Sequence, residues 1–399
     1  MRPAESAPMP PARLSPPISA LASASASRRT GSSTRVSARL PDFPWDRLAP
    51  YAERARSSPD GLVDLSIGTP VDPTPDLVQS ALGGAADAPG YPYTAGTSAL
   101  REAAAGYLAR RFGIAGLKPT AVLPSIGSKE LVALLPTLLG LGRGDLVVIP
   151  RLAYPTYDVG ARLAGADVIA TDSLTEVGPA RVRLVWVNSP ANPTGRVLPA
   201  VHLRKVVEWA RERGAVVASD ECYLEFGWDA EPVSVLHPDV CGGAFDGVLA
   251  LHSLSKRSNL AGYRAGFLAG DPALVAELLE VRKHVGLIVP APVQAAMTRA
   301  LDDDAHVRLQ RERYAARRGL LRPALASAGF RIEGAEGGLF LWATRDERCW
   351  DSVGRLAEVG ILVAPGEFYG AAGEHHVRVA LTATDDHVRA AARRLASMQ

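Results

Sequence analysis

Short apolar runs rich in Val, Ile and Leu alternate with longer amphipathic segments from about residue 41 onward. The runs predict buried strands, because each is short and is followed by polar or turn-forming residues. They are VLPSIG (122–127), DLVVIP (145–150), ADVIATD (166–172), VRLVWVNSP (182–190), AVVASDE (215–221) and GVLALHS (247–253). Segments such as LPAVHLRKVVEWARERG (198–214) predict helices between several of them. This alternation is typical of a mostly parallel sheet with helices on both faces.

The pattern changes after residue 290. A long charged segment (305–328) predicts a helix, and its arginines predict a solvated face. Apolar runs in FRIEGAEGGLFLWAT (330–344), ILVAP (361–365) and HHVRVALTA (375–383) predict strands. This mixture is typical of a smaller α+β domain that follows the α/β part of the chain.

The first 40 residues differ from the rest. They are rich in Pro, Ala, Ser and Arg, contain Glu5 as their single acid, and show no apolar periodicity. Such a stretch cannot bury enough apolar surface to order itself, so we predict a disordered N-terminal extension over residues 1–40. An organelle transit peptide and a start codon placed too early fit the same composition.

The composition favours a cytoplasmic protein that acts on small molecules. The 44 basic and 42 acidic residues leave a net charge of +2, which provides no strong field for nucleic acid or an anionic membrane. Three distant cysteines fit neither a disulfide framework nor a CxxC metal site, and the eight histidines lack metal-ligand spacing. The most apolar run, LVALLPTLLGLG (131–142), is too short to cross a bilayer. We therefore expect no metal, membrane or nucleic-acid site.

Polar residues follow four of the predicted strands directly. They are GSKE (127–130), ANPTG (191–195), DECY (220–223) and SLSK (253–256). Each could be a helix cap or a surface turn when considered alone. Ligands of open α/β sheets bind at the carboxyl ends of strands, however, so the four together predict one site.

Lys256 is the most informative of these residues, because a lysine at the end of a buried strand usually has a function. Such a lysine can form a Schiff base, and pyridoxal 5'-phosphate is the common cofactor held in this way. Asp220 is the candidate carboxylate for the pyridine nitrogen of that cofactor. Asn192 and the Tyr223 hydroxyl are candidate donors to its phenolate oxygen, and Tyr154 is the candidate aromatic lid over its ring.

The phosphate of this cofactor requires donors at a helix start, from backbone amides, hydroxyls and a guanidinium. The candidates that share these properties are Gly127, Ser128, Lys129, Ser253, Ser255 and Arg264.

The stretch SLSKRSNLAGYRAG (253–266) resembles the S-x-S-K-x7-R signature of class I/II aminotransferases, which are fold type I pyridoxal-phosphate enzymes. NSPANPTG (188–195), SDECY (219–223) and HHVRVAL (375–381) resemble the same family in the same order, so the similarity covers roughly residues 41–399.

This resemblance implies roles for individual residues. Lys256 carries a proton between the substrate α-carbon and the cofactor, with Asp220 and Tyr223 as the other catalytic candidates. Arg378 grips the substrate α-carboxylate beside Asn192, and Gly68 lines the same pocket. The tyrosine that reaches the phosphate of the neighbouring subunit is Tyr91, although Tyr93 lies only two residues further along the chain.

The resemblance also implies a fold and an assembly. The fold is a three-layer α/β/α large domain with a mostly parallel seven-stranded sheet, plus a smaller α+β domain. We expect the large domain to span residues 76–289 and the small domain to combine residues 41–75 with 290–399. The implied active sites lie at the interface of a homodimer.

Three stretches resemble a narrower group, the actinobacterial N-succinyldiaminopimelate aminotransferases. They are FPWDRLAPY (43–51), SLSKRSNLAGYR (253–264) and VRKHVGLIVPAPVQ (281–294). The resemblance implies N-succinyl-LL-2,6-diaminopimelate as amino donor and 2-oxoglutarate as acceptor, in lysine and diaminopimelate biosynthesis. The usual pattern RKHGGMMVPAPVQ differs in the last stretch, where this chain has Val285, Leu287 and Ile288.

Both of these substrates carry a second anion far from the α-carboxylate, so a basic side chain should face the distal end of the pocket. By position the candidates are Arg257, Lys283 and His284, which the sequence does not rank.

Other functions share some of these features. A broad-specificity aspartate-, aromatic- or alanine-type aminotransferase, a β-lyase, a decarboxylase and a racemase can all use the same fold and cofactor. Fold type I regulators carry a helix-turn-helix domain, for which residues 1–40 are too short. A nicotinamide dehydrogenase is disfavoured because GLGRGD (140–145) precedes a strand and lacks the third glycine of the fingerprint.

Overall fold

The computed structural model describes residues 36–398. The predicted disordered extension over residues 1–40 lies outside the described residues, apart from a single 3-10 turn at Val36–Arg39 and Leu40. No helix in the described part of the chain is long and apolar enough to cross a membrane.

The strands, in chain order, are β1 (Val63–Asp64), β2 (Val122–Ile126), β3 (Leu146–Ile149), β4 (Asp167–Ala170), β5 (Val182–Asn188), β6 (Val216–Asp220), β7 (Val248–Ser253), β8 (Ala265–Gly270), β9 (Arg331–Glu333), β10 (Phe340–Thr344), β11 (Ile361–Leu362), β12 (Ala364–Pro365) and β13 (His376–Ala380).

The helices are α1 (Ala49–Arg56), α2 (Asp76–Gly84), α3 (Ser98–Phe112), α4 (Gly127–Leu138), α5 (Thr156–Ala164), α6 (Ala200–Glu212), α7 (Pro238–Cys241), α8 (Leu254–Arg257), α9 (Pro272–Val285), α10 (Ala291–Leu301), α11 (Ala305–Ser327), α12 (Cys349–Glu358) and α13 (Asp385–Ala396).

Seven strands form the central sheet in the order β2-β8-β7-β6-β5-β3-β4. Strands β3 to β7 pair in parallel, and β8 runs antiparallel to both of its neighbours, β2 and β7. The six strands predicted from apolar runs are all present, and the predicted mostly parallel seven-stranded sheet is confirmed. Strand β8 was not among the predicted strands.

Helices cover both faces of this sheet. One face packs against side chains of α4, α5 and α9, including Leu135, Tyr157 and Leu278. The opposite face packs against α2, α3, α6 and α10. Alternate residues of a strand point to opposite faces, so a strand that is apolar at every position requires cover on both sides. The predicted three-layer arrangement is therefore confirmed.

The second part of the fold contains both ends of the described chain. A four-stranded antiparallel sheet has the order β12-β13-β10-β9, and β1 pairs in parallel with β11. Helices α1, α11, α12 and α13 share one apolar core with these strands. The predicted smaller α+β part is present, and α1 and β1 are contributed to it by the N-terminal half of the chain.

The domain boundaries stay a prediction. Helix α10, which follows the expected boundary at residue 290, packs against α2 and α3, and its Ala296 and Met297 belong to the core of the seven-stranded sheet. This packing favours a second boundary after Leu301.

Candidate active site

The candidate residues converge on one edge of the seven-stranded sheet. Strands β5, β6 and β7 end side by side at this edge, with Asn188 paired to Asp220 across β5 and β6. Because β8 runs in the opposite direction, it begins where β7 and β2 end, and Gly266 pairs with Ser253. Polar side chains from four different connections therefore meet within one region, as the strand-end argument predicts.

The start of α4 forms one wall of the site. Its backbone amides at Gly127, Ser128 and Lys129 lie at the N-terminus of a 12-residue helix, where the helix dipole favours an anion. Gly127 has a φ of +72°, and a Cβ atom built there would collide with the guanidinium of Arg264. Arg264 itself has a left-handed φ of +56°. This close approach of backbone amides and guanidinium forms a cradle whose donors would suit a phosphate group.

Two serines of the signature are buried beside this wall. Ser253 ends β7, and its Oγ accepts a hydrogen bond of 3.2 Å from the Ser255 amide at the start of α8. The Lys129 side chain, by contrast, is exposed and lies over the ring of Phe43, so only its backbone faces the cradle.

Lys256 lies on the single turn of α8 and donates a hydrogen bond to the Gly68 carbonyl oxygen. Burial is the main cause that lowers the pKa of its amine, and together with the nearby guanidinium groups of Arg378 and Arg264 it brings that pKa to about 8. A lysine with this pKa exposes a usable fraction of neutral, nucleophilic amine near neutral pH.

Asp220 is buried at the end of β6. Its Oδ2 accepts a hydrogen bond of 2.8 Å from the Tyr157 hydroxyl, and its Oδ1 accepts one of 3.2 Å from the Cys222 amide. Burial raises the pKa of the Asp220 carboxyl, whereas the Cys222 side chain, the Tyr157 hydroxyl, the Cys222 amide and the Lys256 charge oppose that rise. The sequence analysis missed Tyr157, although the repeated tyrosine in YPTY (154–157) was a signal for it.

Asn192 and Arg378 form the adjacent part of the site. The Arg378 Nη1 donates to Asn192 Oδ1 at 2.8 Å, and its Nη2 donates to the Ser66 carbonyl oxygen at 2.7 Å. The guanidinium carbon lies 3.9 Å from the centre of the Phe340 ring. This buried guanidinium is fixed on several sides, which suits bidentate recognition of a carboxylate.

Asn188, a second residue that the sequence analysis missed, connects these groups. Its side-chain amide donates to the Asp220 carbonyl oxygen at 2.8 Å, and its Oδ1 accepts from the Asn192 amide at 2.7 Å. Asn188 therefore fixes the backbone of both residues. The sequence pattern already indicated that Asn188 lies at the end of β5.

Gly68 and two aromatic residues complete the site. A Cβ atom at Gly68 would lie 2.7 Å from the Phe340 ring, so the chain can pass there only without a side chain. The ring of buried Tyr223 packs edge-on against Phe340 at 5.5 Å, and half-buried Tyr154 packs edge-on against Tyr157 at 5.9 Å. Burial raises the pKa of both Tyr154 and Tyr223, so both hydroxyls are protonated donors at neutral pH.

Other predicted residues lie away from this cluster. Tyr91 and Tyr93 are 99% and 79% exposed, so their side chains face away from the buried cluster in the described chain. Arg257 was wrong as a distal-anion candidate, because it is only 3% exposed and bonds the Ala300 carbonyl oxygen at 3.0 Å. Its guanidinium stacks 4.5 Å from the Tyr107 ring, and its Nε lies 3.5 Å from Glu225 Oε1.

The solvated face predicted for residues 305–328 is also wrong in part. Arg317 on α11 is only 2% exposed, and it forms ion pairs with Asp72 and Asp385. Lys283 and His284 are exposed at the end of α9, where Lys283 pairs with Glu280 at 2.6 Å.

The residues present fit pyridoxal 5'-phosphate. The cradle at Gly127 and Arg264 fits the phosphate, the lowered pKa of Lys256 fits a Schiff-base lysine, and buried Asp220 fits a protonated ring nitrogen. Together the fold and this site define a fold type I pyridoxal-phosphate enzyme.

The comparison with protein families agrees with this class. The model described as aminotransferase class I and II matches residues 60–395, so the chain belongs to that family. Members of the family use pyridoxal phosphate, and this chain is a pyridoxal-phosphate-dependent aminotransferase.

Curated relatives include two with high identity. A probable aminotransferase of Mycobacterium tuberculosis is 66% identical over 90% of this chain and 86% of its own length. The 4-dedimethylamino-4-oxo-anhydrotetracycline transaminase OxyQ of Streptomyces rimosus is 63% identical over 89% of this chain and 99% of its own length. An LL-diaminopimelate aminotransferase of Gloeobacter violaceus is 34% identical over 88% and 96% of the two chains.

Solved structures share the fold over nearly the whole described chain. An aminotransferase from Neisseria meningitidis has a TM-score of 0.83 and 30% identity, over 91% of this chain and 99% of that chain. A probable N-succinyldiaminopimelate aminotransferase from Thermus thermophilus has a TM-score of 0.80 and 28% identity, over 90% and 100% of the two chains.

Proposed function

We propose that this aminotransferase transfers the amino group of N-succinyl-LL-2,6-diaminopimelate to 2-oxoglutarate, with glutamate as the second product. The observation that carries the proposal is the local resemblance of three stretches, including residues 281–294, to enzymes of that specificity. The Thermus thermophilus structure named for the same activity supports it, as does the LL-diaminopimelate aminotransferase relative, whose named substrate shares the diaminopimelate skeleton.

Each residue of the site has a role in this proposal. Arg378 binds the α-carboxylate of donor and acceptor alike, with Asn192 holding the guanidinium in place. The cofactor supplies the electron-withdrawing ring that makes the substrate α-proton acidic, and Asp220 keeps its nitrogen protonated. Lys256 is the base that takes the α-proton and returns it, which its pKa of about 8 permits near neutral pH.

We assign binding of the second, distal anion of the substrate to residues at the end of α9. With Arg257 excluded by its buried position, Lys283 and His284 are the remaining candidates, and both are exposed. Both side chains face solvent at the end of α9, and we propose that they serve the site of a second subunit. Lys283 is the stronger candidate because an ammonium remains charged at neutral pH, and its ion pair with exposed Glu280 is easily exchanged.

A donor panel tests the proposal. Purified enzyme is assayed with 2-oxoglutarate and with succinylated diaminopimelate, LL-diaminopimelate, aspartate, phenylalanine, alanine or leucine, and glutamate formation is measured. We expect the highest kcat/KM for the succinylated donor. Leucine or phenylalanine as the best donor, with negligible use of the succinylated compound, would leave a broad-specificity aminotransferase.

The variant Lys283→Met tests whether Lys283 is the basic side chain that binds the second anion of the substrate. We expect kcat/KM for the succinylated donor and for glutamate to fall about 10- to 100-fold, which corresponds to a lost charge-assisted hydrogen bond of about 1.5–3 kcal/mol. Alanine carries no second anion and should be unaffected. Lys205→Met removes another exposed lysine, on α6, and is the matched control. Equal losses with alanine and glutamate would assign Lys283 a structural role.

A second candidate function rests on the 63% identity to the Streptomyces rimosus enzyme. That relative is named for a tetracyclic ketone, so the panel includes 4-dedimethylamino-4-oxo-anhydrotetracycline as acceptor with glutamate as donor. Efficient amination of this ketone, with no use of succinylated diaminopimelate, would favour the second function.

A further inference from the structure

Tyr157 is buried behind Asp220, away from the residues assigned to substrate. It lies in the first turn of α5, and its ring stacks on Trp186 with 4.8 Å between ring centres and 19° between planes. Its hydroxyl donates to Asp220 Oδ2 at 2.8 Å, and both partners are buried. This stacking leaves the phenol little freedom, so the hydrogen bond has a fixed direction.

The hydrogen bonds of Asp220 show what Tyr157 contributes. A carboxylate has about four lone-pair positions, and here one oxygen accepts from the Cys222 amide while the other accepts from Tyr157. Tyr157 is the side-chain hydroxyl that bonds this carboxylate in the described chain. Burial disfavours the ionised carboxyl, and a donor to its oxygen favours it.

We propose that Tyr157 is a positioning residue that keeps Asp220 ionised and aimed at the cofactor nitrogen. The proposal rests on the aminotransferase chemistry of this chain but does not depend on the identity of the amino donor. The proton between Asp220 and the ring nitrogen remains on nitrogen only while the carboxyl is the weaker base. Losing the Tyr157 donor strengthens that base, and the proton moves toward the carboxyl.

A positioning role of this kind predicts that loss of the Tyr157 hydroxyl changes kcat and leaves KM nearly unchanged. The α-carboxylate is held by Arg378, which Tyr157 does not contact, so substrate binding is independent of the Tyr157 hydroxyl. Acidity of the substrate α-proton depends on a protonated ring nitrogen. A change confined to Tyr157 therefore lowers kcat and leaves KM nearly constant.

The test is Tyr157→Phe, which removes one oxygen and keeps the stacked ring. We expect kcat to fall about 10- to 100-fold with KM within about twofold of the wild type. The second readout is the 15N chemical shift of the ring nitrogen in enzyme loaded with 15N-labelled cofactor. It should move from the protonated toward the neutral value, which a loss of packing alone would not produce.

The matched control is Tyr314→Phe. Tyr314 is also fully buried, packs against Phe226 at 5.4 Å, and its hydroxyl has no hydrogen-bond partner in the described part of the chain. Kinetics and nitrogen shift should remain those of the wild type. Replacing Tyr157 by 4-aminophenylalanine, which keeps the six-membered ring and an N–H donor at the same position, should preserve the protonated nitrogen signal and most of kcat.

A folded Tyr157→Phe enzyme with wild-type kcat or a wild-type nitrogen shift would overturn the proposal. If the Phe variant fails to fold, a folded enzyme with 4-aminophenylalanine at position 157 and a neutral nitrogen signal does the same. Wild-type enzyme that transaminates none of the donors tested would contradict the substrate proposal alone, because the nitrogen shift is measured without turnover.

Discussion

The chemistry of Lys256 depends on its surroundings more than on its residue type. An exposed lysine has a pKa of 10.5, whereas burial and two nearby guanidinium groups lower the pKa of Lys256 to about 8. The lowered value means that a protonated amine predominates below about pH 8 and a neutral amine above it. Only the neutral amine attacks a carbonyl group.

Cofactor capture by apo-enzyme should therefore depend on pH. We expect the rate constant for development of the visible absorption band to rise about tenfold per pH unit up to about pH 8 and then to level off. Stopped-flow mixing of apo-enzyme with pyridoxal phosphate measures it. Lys256→Ala should develop no such band, whereas Lys129→Ala, altered at an exposed side chain, should behave as wild type. A band that survives in Lys256→Ala would refute the site assignment.

The sequence predicted which residues the structure brings together at the edge of the sheet, where strand position alone decides. Lys256, Asp220 and Asn192 follow apolar strands, and the carboxyl ends of parallel strands meet at one edge. Tyr157 and Asn188 were missed because their roles come from which hydrogen bonds they make, and no spacing rule encodes those. Arg257 was misplaced because neighbouring residues on a helical turn point in different directions.

At the scale of elements, the segment from Leu65 to Thr74, here called the strap, connects the two parts of the fold. The strap follows β1, and its carbonyl oxygens at Ser66 and Gly68 accept hydrogen bonds from Arg378 and Lys256. Further along, Asp72 forms two hydrogen bonds with Arg317 on α11, at 2.9 and 2.5 Å. The strap is therefore held at one end by the side chains of Arg378 and Lys256 and at the other by a largely buried ion pair.

Arg317→Met should loosen the strap. Breaking a buried ion pair leaves Asp72 without its main partner, so we expect the free energy of unfolding to fall by about 3 kcal/mol and KM for the donor to rise. Urea denaturation and steady-state kinetics measure the two effects. Arg308→Met, at an exposed position of the same helix, is the control. An unchanged KM would show that Arg317 stabilises α11 without acting on the strap.

The same ion pair predicts a pH dependence. Burial alone would raise the pKa of Asp72, but hydrogen bonds from Arg317 and Gln310 outweigh it and hold the pKa below the usual 3.8. The stabilisation is therefore complete above about pH 4 and is lost as the pH falls through the lowered value. The difference in stability between wild type and Arg317→Met should shrink accordingly in acid.

Some elements could be predicted from the sequence and others could not. Strands β5 and β7 have continuous Val- and Leu-rich runs, which identify them. Strand β8 reads AGFLAG, and its small residues carry little strand propensity. The pairing of β1 with β11 joins residues about 300 positions apart, so no local pattern predicts it.

At the scale of the whole molecule, large apolar side chains remain exposed near the start of α10. Tyr91 and Tyr93 precede Thr97, whose amide donates to Gln294 on α10 at 2.8 Å, and Val285 ends α9 nearby in sequence. Exposed aromatic and apolar side chains of this kind mark protein–protein contact sites. They support the proposed homodimer with shared active sites.

Subunit mixing tests that assembly. Inactive Lys256→Ala and inactive Tyr91→Ala subunits are mixed under conditions in which exchange is shown independently. Random exchange gives half heterodimers, each with one intact site of two, so we expect recovery of about a quarter of wild-type activity. No recovery in verified heterodimers, repeated with Tyr93→Ala, would show that each site is built from one chain.

The reversed direction of β8 explains the length of the lysine signature. Since β7 and β8 are antiparallel neighbours, the chain between Ser253 and Gly266 makes a local return and needs no crossover around the sheet. Lys256 and Arg264 therefore lie near the two ends of one hairpin-like connection. The distance between β7 and β8 sets the distance that this connection spans. Inserting or deleting even one residue between them would pull the guanidinium away from Gly127. The number of residues between Lys256 and Arg264 is therefore fixed. An insertion within this interval should be tolerated less well than one before Lys256 or after Arg264.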